Sequence, residues 1–96
     1  METVFLVFVI NYCAYCDMFK ERAMEGIINS GDWDQVAVFN ASESKFLHGG
    51  VSNIDQYKTH VRGYPTYVVI KDGEVVNSWE GYTKDVFWFE YEKSKP

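Results

Sequence analysis

The first apolar stretch, Val4-Phe5-Leu6-Val7-Phe8-Val9-Ile10, shows no polar alternation and consists of β-branched, aromatic and leucine residues. A run of this kind suits a central strand covered on both faces, as in layered α/β proteins. Asn11-Tyr12 interrupts it, and a helix is predicted to start near Cys13. From there Cys16, Phe19, Ala23 and Ile27 fall at i, i+3, i+7 and i+11, one buried stripe of a helix that Asn29-Ser30-Gly31-Asp32 ends. Gln35 to Asn40, around Val36-Ala37-Val38-Phe39, predicts a second buried strand. Gly49-Gly50 reads as a loop. Ser52-Asn53-Ile54-Asp55 has the form of a capping box opening a short helix through about His60. Thr66 to Ile70 and Val75 to Glu80 are strands, and Asp72-Gly73 between them marks a β-hairpin. Gly81 breaks the second of these strands. Thr83 is then placed as the N-cap of a closing helix, Asp85 stands in its first turn, and Val86, Phe89 and Lys93 share one face.

The predicted order is β-α-β-(α)-β-β-α. Two strands joined by a helix run parallel with a right-handed crossover, and the hairpin adds antiparallel strands. The expected architecture is a small α/β sandwich around a mixed four-stranded sheet.

At 96 residues the chain has room for one domain, residues 1–96. A domain of this size buries only about 60–65% of its unfolded surface. The 7 Phe, 7 Tyr and 3 Trp therefore matter, because each covers a large area. A net charge of −5 argues against nucleic acid as a partner, since such binders carry a basic stripe. The seven-residue apolar run is far short of the roughly 20 residues a membrane span needs. Only Glu2 and Thr3 separate it from Met1, with no basic n-region and no small-residue cleavage site after it, so a cytoplasmic address is expected. A domain this small and acidic is expected to act as a monomer.

Cys13-Ala14-Tyr15-Cys16 is a C-x-x-C at the point where a buried strand hands over to a helix. The spacing puts both sulfurs on one side of the first helical turn, within reach of a disulfide. The positive end of the helix and its unpaired N–H groups favour a thiolate. Cys13, at the open end, is the expected nucleophile, and Cys16, on the buried stripe, the expected resolving cysteine. Two alternatives are a pair of inert core cysteines and half of a zinc site. For zinc the only further ligands of the usual kind are His48 and His60, which lack the usual close spacing; both read as surface histidines. A second signature is Val61-Arg62-Gly63-Tyr64-Pro65-Thr66, where Pro65 opens a strand inside the sheet, a place where a missing N–H normally does harm. Such a proline is often cis.

C-x-x-C between strand and helix, then Gly63-Tyr64-Pro65-Thr66, then Tyr67 to Val75 with its Lys71-Asp72-Gly73-Glu74 turn, then Gly81, resembles the thioredoxin superfamily over nearly the whole chain. The resemblance implies a thioredoxin-like fold with Pro65 as the cis-proline facing the cysteines. It also implies that the Tyr64 backbone pairs with an extended substrate segment, a form of strand addition, and that Gly81 leaves a flat surface for the partner. Tyr12 stands where thioredoxins have tryptophan beside the nucleophile, and Tyr15 matches the tyrosine of the glutaredoxin pair. With Tyr12, Tyr15, Tyr64, Pro65 and Gly81 as substrate-binding residues, the implied activity is reduction of protein disulfides.

The chain also departs from the family. It opens on the central strand, without the N-terminal strand and helix of full thioredoxins, which resembles the shorter glutaredoxin core. Val7 occupies the place of the thioredoxins' buried aspartate, and Asp17 that of a lysine common after the pair. Gly81-Tyr82-Thr83 is similar to a stretch with which glutaredoxins hold glutathione, although the same residues read equally as a packed tyrosine and a helix cap. The expected partners are protein disulfides, with a reductase or glutathione as electron donor. No cofactor is expected beyond glutathione as a co-substrate. The alternatives are a glutathione-dependent glutaredoxin, and a redox-inactive binding module or carrier of a metal or iron–sulfur cluster.

Overall fold

The computed structural model describes all 96 residues, Met1 to Pro96. Strands β1 (Thr3–Val9), β2 (Gln35–Asn40), β3 (Lys45–His48), β4 (Thr66–Lys71) and β5 (Glu74–Glu80) form one sheet in the order β3-β2-β1-β4-β5. β1 runs parallel to β2 and antiparallel to β4, so the sheet is mixed. All seven residues of β1 are buried, as its unbroken apolar run requires of a strand with a layer on each face. Phe5, Val7 and Val9 point into one cluster with Cys16, Phe19, Ala23 and Ile27 of the first helical segment and Phe87 and Tyr91 of the last. Val4, Leu6 and Phe8 point into the other, closed by Tyr57 and Ile54.

The predicted stripe of Cys16, Phe19, Ala23 and Ile27 is buried along its whole length. The helix that carries it has three parts: α1 (Ala14–Phe19), a π-helical stretch Lys20–Met24, and α2 (Glu25–Asn29). Asp72 and Gly73 both take positive φ, 51° and 82°, closing the β4–β5 hairpin as the Asp-Gly pair predicted.

Three expectations are corrected. The sheet has five strands rather than four, because Lys45–His48 pairs antiparallel with β2 at its outer edge. Only Phe46 of β3 packs inward, its ring 5.0 Å from that of Phe39, and the other three residues are exposed. The short helix α3 (Ile54–Tyr57) continues as a 3-10 turn to His60, but Asn53 at its N-cap makes no side-chain cap bond, so the capping box is not formed. In α4 (Lys84–Ser94) the face shared by Val86 and Phe89 is the solvent face, at 57% and 65% exposure. Phe87, Tyr91 and Ser94 supply the buried side instead. Aromatic residues lie all round this helix, and Phe87 and Tyr91 win the core because the rings of Phe5, Phe19, Tyr67 and Tyr82 meet them there. Thr83 does stand at the N-cap in extended backbone, without a side-chain cap bond. No helix is long and apolar enough to cross a membrane.

Candidate active site

The C-terminal end of β1 delivers the chain to Cys13, whose extended backbone (φ −127°, ψ 106°) makes it the N-cap of α1. Its sulfur accepts a hydrogen bond from the Cys16 N–H at 3.1 Å, and its carbonyl accepts from the Asp17 N–H at 3.0 Å. Cys13 and Cys16 form a disulfide with their Cα atoms 5.2 Å apart. Cys16 is fully buried in the core cluster and Cys13 half-buried at its rim. One sulfur of the pair is therefore reachable and the other is not.

Across from the cysteines lies the segment that precedes β4. The Tyr64–Pro65 peptide is cis, and the Tyr64 carbonyl oxygen is 3.8 Å from Cys13 Sγ. The Pro65 carbonyl accepts from the Gly81 N–H at 2.8 Å, which ties the end of β5 to the same loop. Gly81 has φ +88°, a backbone conformation that favours glycine. Beside it the Glu80 carboxylate lies so close to Gly63 that a Cβ there would collide with it. Of the expected site residues, Cys13, Cys16, Tyr64, Pro65 and Gly81 are thus linked by short contacts. Tyr12 and Tyr15 flank the cysteine with their side chains in solvent, Tyr12 at 104% exposure and Tyr15 at 56%.

The environment of the pair is apolar. Val7 is fully buried and carries no acid beneath Cys16. Asp17 points outward and pairs with Lys20 at 3.4 Å, leaving its charge in water rather than against the sulfur. Tyr82 is buried, with its ring 5.3 Å from that of Phe87, which is the packed role weighed for it against glutathione binding. His48 and His60 are both exposed, and no group of three or more His, Cys, Asp or Glu side chains converges anywhere in the chain. One cleft lies at the other end of β1, between Glu2, Val4, Val51 and Tyr57. Around Cys13 the surface is open.

Sequence reasoning missed the support beneath this loop. Three hydrogen bonds join Asn11, the residue before Tyr12, to Asn40 at the end of β2 and to Ser42 and Glu43 just after it, and a fourth runs from the Glu43 N–H to Asn40. The one available signal was a polar Asn40 following the apolar run Val36 to Phe39.

No protein-family profile and no curated protein matches the chain. Solved structures do. Thioredoxin f from spinach chloroplast (short form) aligns with 97% of this chain and 76% of its own, at 16% identity and a TM-score of 0.70. The fold is thioredoxin-like. The thioredoxin of Fasciola hepatica superposes at a TM-score of 0.69 and 19% identity, over 98% of this chain and 82% of that one. A third match, from a crystal structure of a complex of ferredoxin:thioredoxin reductase with thioredoxin f2, gives 0.70 and 17% identity, over 96% of this chain and 76% of that one. In this thioredoxin-like frame the disulfide sits where a central strand meets a helix, opposite the Tyr64–Pro65 peptide.

Proposed function

We propose that the chain is a thiol-disulfide oxidoreductase that reduces disulfide bonds in other proteins. The observation that carries this reading is the asymmetry of the pair: Cys13 at the surface, capped by the Cys16 N–H at 3.1 Å, and Cys16 wholly buried behind it.

In the reduced chain the Cys16 N–H and the positive end of the helix stabilise a thiolate on Cys13. That thiolate attacks one sulfur of the client disulfide. The client S–S bond breaks, its second sulfur leaves as a thiolate, and Cys13 is held in a mixed disulfide. Cys16, once deprotonated, attacks Cys13 Sγ. The mixed bond breaks, the client leaves as a dithiol after taking up two protons, and the Cys13–Cys16 disulfide remains. Two electrons have passed from the chain to the client. With Val7 beneath the pair, no side chain there takes the Cys16 proton, which passes to water or to another group.

The open surface suits an extended client segment lying against Tyr64 and Pro65, with Gly81 leaving room beside them and Tyr12 and Tyr15 as flanking contacts. A reductase or glutathione recharges the oxidised pair. A reducing direction is natural in the cytoplasm, where the thiol pool is kept reduced.

The test is reduction of insulin by the purified chain, regenerated with dithiothreitol. Wild type precipitates the freed insulin chains faster than dithiothreitol alone, Cys13→Ser does not, and Cys16→Ser accumulates a mixed disulfide through Cys13. Wild type no faster than dithiothreitol refutes the reading. Equilibration in glutathione buffers then addresses the donor. A potential near about −270 mV points to a dedicated reductase, and one near −200 to −230 mV to glutathione.

A further inference from the structure

Tyr12 combines two unfavourable properties. Its backbone is left-handed at φ 55°, where a bulky side chain is an outlier, and its ring is fully in solvent. A conformation of this sort persists only where the surroundings over-determine it. The surroundings do so at Asn11. The Asn11 N–H donates to Ser42 Oγ at 3.0 Å, Asn11 Nδ2 donates to Glu43 Oε2 at 3.2 Å, and Asn11 Oδ1 accepts from Asn40 Nδ2 at 2.9 Å. Asn40 is itself 4% exposed and uses its other end to accept the Glu43 N–H at 3.0 Å. One residue further, the Ala41 N–H donates to the Val9 carbonyl at 2.8 Å.

The residue before Tyr12 is therefore held at three atoms, and the residue after it is fixed as the N-cap of α1. The chain bends at Asn11 and Tyr12, the left-handed step falls on Tyr12, and its ring stands away from the core. Lys45, 3.1 Å from Glu43, and Asn11 together hold the Glu43 carboxyl below its ordinary range.

We propose that Asn11 is a positioning residue which, clamped by Asn40, Ser42 and Glu43, presents Tyr12 as a rigid docking arm and so sets the preference for protein clients over small disulfides. The inference rests on the oxidoreductase reading. The client it fits carries an apolar pocket for a phenol ring next to its reactive disulfide. A small disulfide reaches Cys13 without touching the arm.

The experiment follows single-turnover oxidation of the prereduced chain by insulin and by hydroxyethyl disulfide. Asn11→Ala slows the insulin reaction about tenfold, equivalent to about 1.4 kcal/mol, and leaves the hydroxyethyl disulfide reaction within about twofold. Tyr12→Ala slows insulin comparably, and adding Asn11→Ala to it costs nothing more, because the clamp acts only through the arm. The three-bond HN–Hα coupling of Tyr12, which reports φ, moves to an extended value in Asn11→Ala. Equal slowing with both oxidants, additive losses, or an unmoved Tyr12 φ overturns the proposal. If Asn11→Ala fails to fold, Ser42→Ala, which removes a single acceptor, carries the same comparison with a smaller split. A wild-type chain that neither oxidant oxidises defeats the oxidoreductase reading itself, an outcome distinct from a wild type that reacts and an Asn11→Ala indistinguishable from it.

Discussion

Tyr67 offers a sharp test of the packing argument. Its side chain is fully buried, enclosed by the rings of Phe5, Phe19, Trp79 and Phe87 at 4.8–6.1 Å, and its hydroxyl has no hydrogen-bond partner. A polar group buried without a partner costs about 1–3 kcal/mol relative to leaving it in water. Tyr67→Phe removes that cost and leaves a void no larger than one oxygen atom, so the expected gain is about 1 kcal/mol after lost contacts are subtracted. In a domain of this length that is about 4–8 °C in Tm by calorimetry at pH 7. The same substitution changes the alkaline limb. Burial pushes the Tyr67 phenol far above its ordinary value of 10, and burial likewise raises Tyr91. A folded-state value above the unfolded one favours the protonated form in the fold, so the contribution is present below pH 10 and is lost as pH rises beyond it. Wild type therefore loses stability above pH 10, and Tyr67→Phe loses less. A lower Tm for Tyr67→Phe at pH 7 would mean the hydroxyl is paired in the fold and would refute the reasoning.

The remaining predictions concern other parts of the molecule. Phe87→Ala opens the aromatic cluster between α4 and the sheet and costs about 3–5 kcal/mol by urea denaturation, a large share of a stability near 5–15 kcal/mol; a loss below 1 kcal/mol would show that the cluster repacks. Asn40→Ala strands the Glu43 N–H and one end of Asn11, with an expected loss of about 1–3 kcal/mol in the same assay. Gly81→Ala forces a Cβ onto a residue at φ +88° and lowers stability by about 1–2 kcal/mol, while Gly26→Ala, which meets open space in a helix, raises it. In acid, Glu90 is held below its ordinary value of 4.5 by the Asn77 amide first and Lys93 second, so its contribution is present above 4.5 and lost as pH falls through its folded value. Glu90→Gln should flatten the acid limb below pH 4.5 and leave the alkaline one unchanged.

The parts of this fold that can be read from sequence are those where burial leaves a period. β1 is apolar from Val4 to Val9 because it has a layer on each face, and the helical stripe from Cys16 to Ile27 repeats because one side of a helix meets that layer. β3 left no such trace. It is four residues long, only Phe46 packs inward, and it exists because β2 has a free edge rather than because its own sequence favours extension. The face of α4 was ambiguous for the opposite reason, since Val86, Phe87, Trp88 and Phe89 are apolar on every side and only the surrounding rings decide which turns in. The cysteine pair and the Tyr64–Pro65 segment announce themselves as short motifs. The left-handed Tyr12 does not, because the bonds that force it reach across some 30 residues of sequence to Asn40, Ser42 and Glu43.

The central position of β1 also governs how the chain can be made. The strand is made before both of its neighbours in the sheet, β2 and β4, which end at Asn40 and Lys71. At a synthesis rate of about 5–20 residues per second, an uncharged segment of high β-propensity stays uncovered for several seconds. No proline or charge interrupts Val4 to Ile10, so nothing within it discourages pairing with a second nascent copy. Until β2 and β4 are in place, both edges of β1 are open to another strand. The length of that interval is set by the pace of translation between β1 and β4, a quantity the stability of the finished domain does not enter.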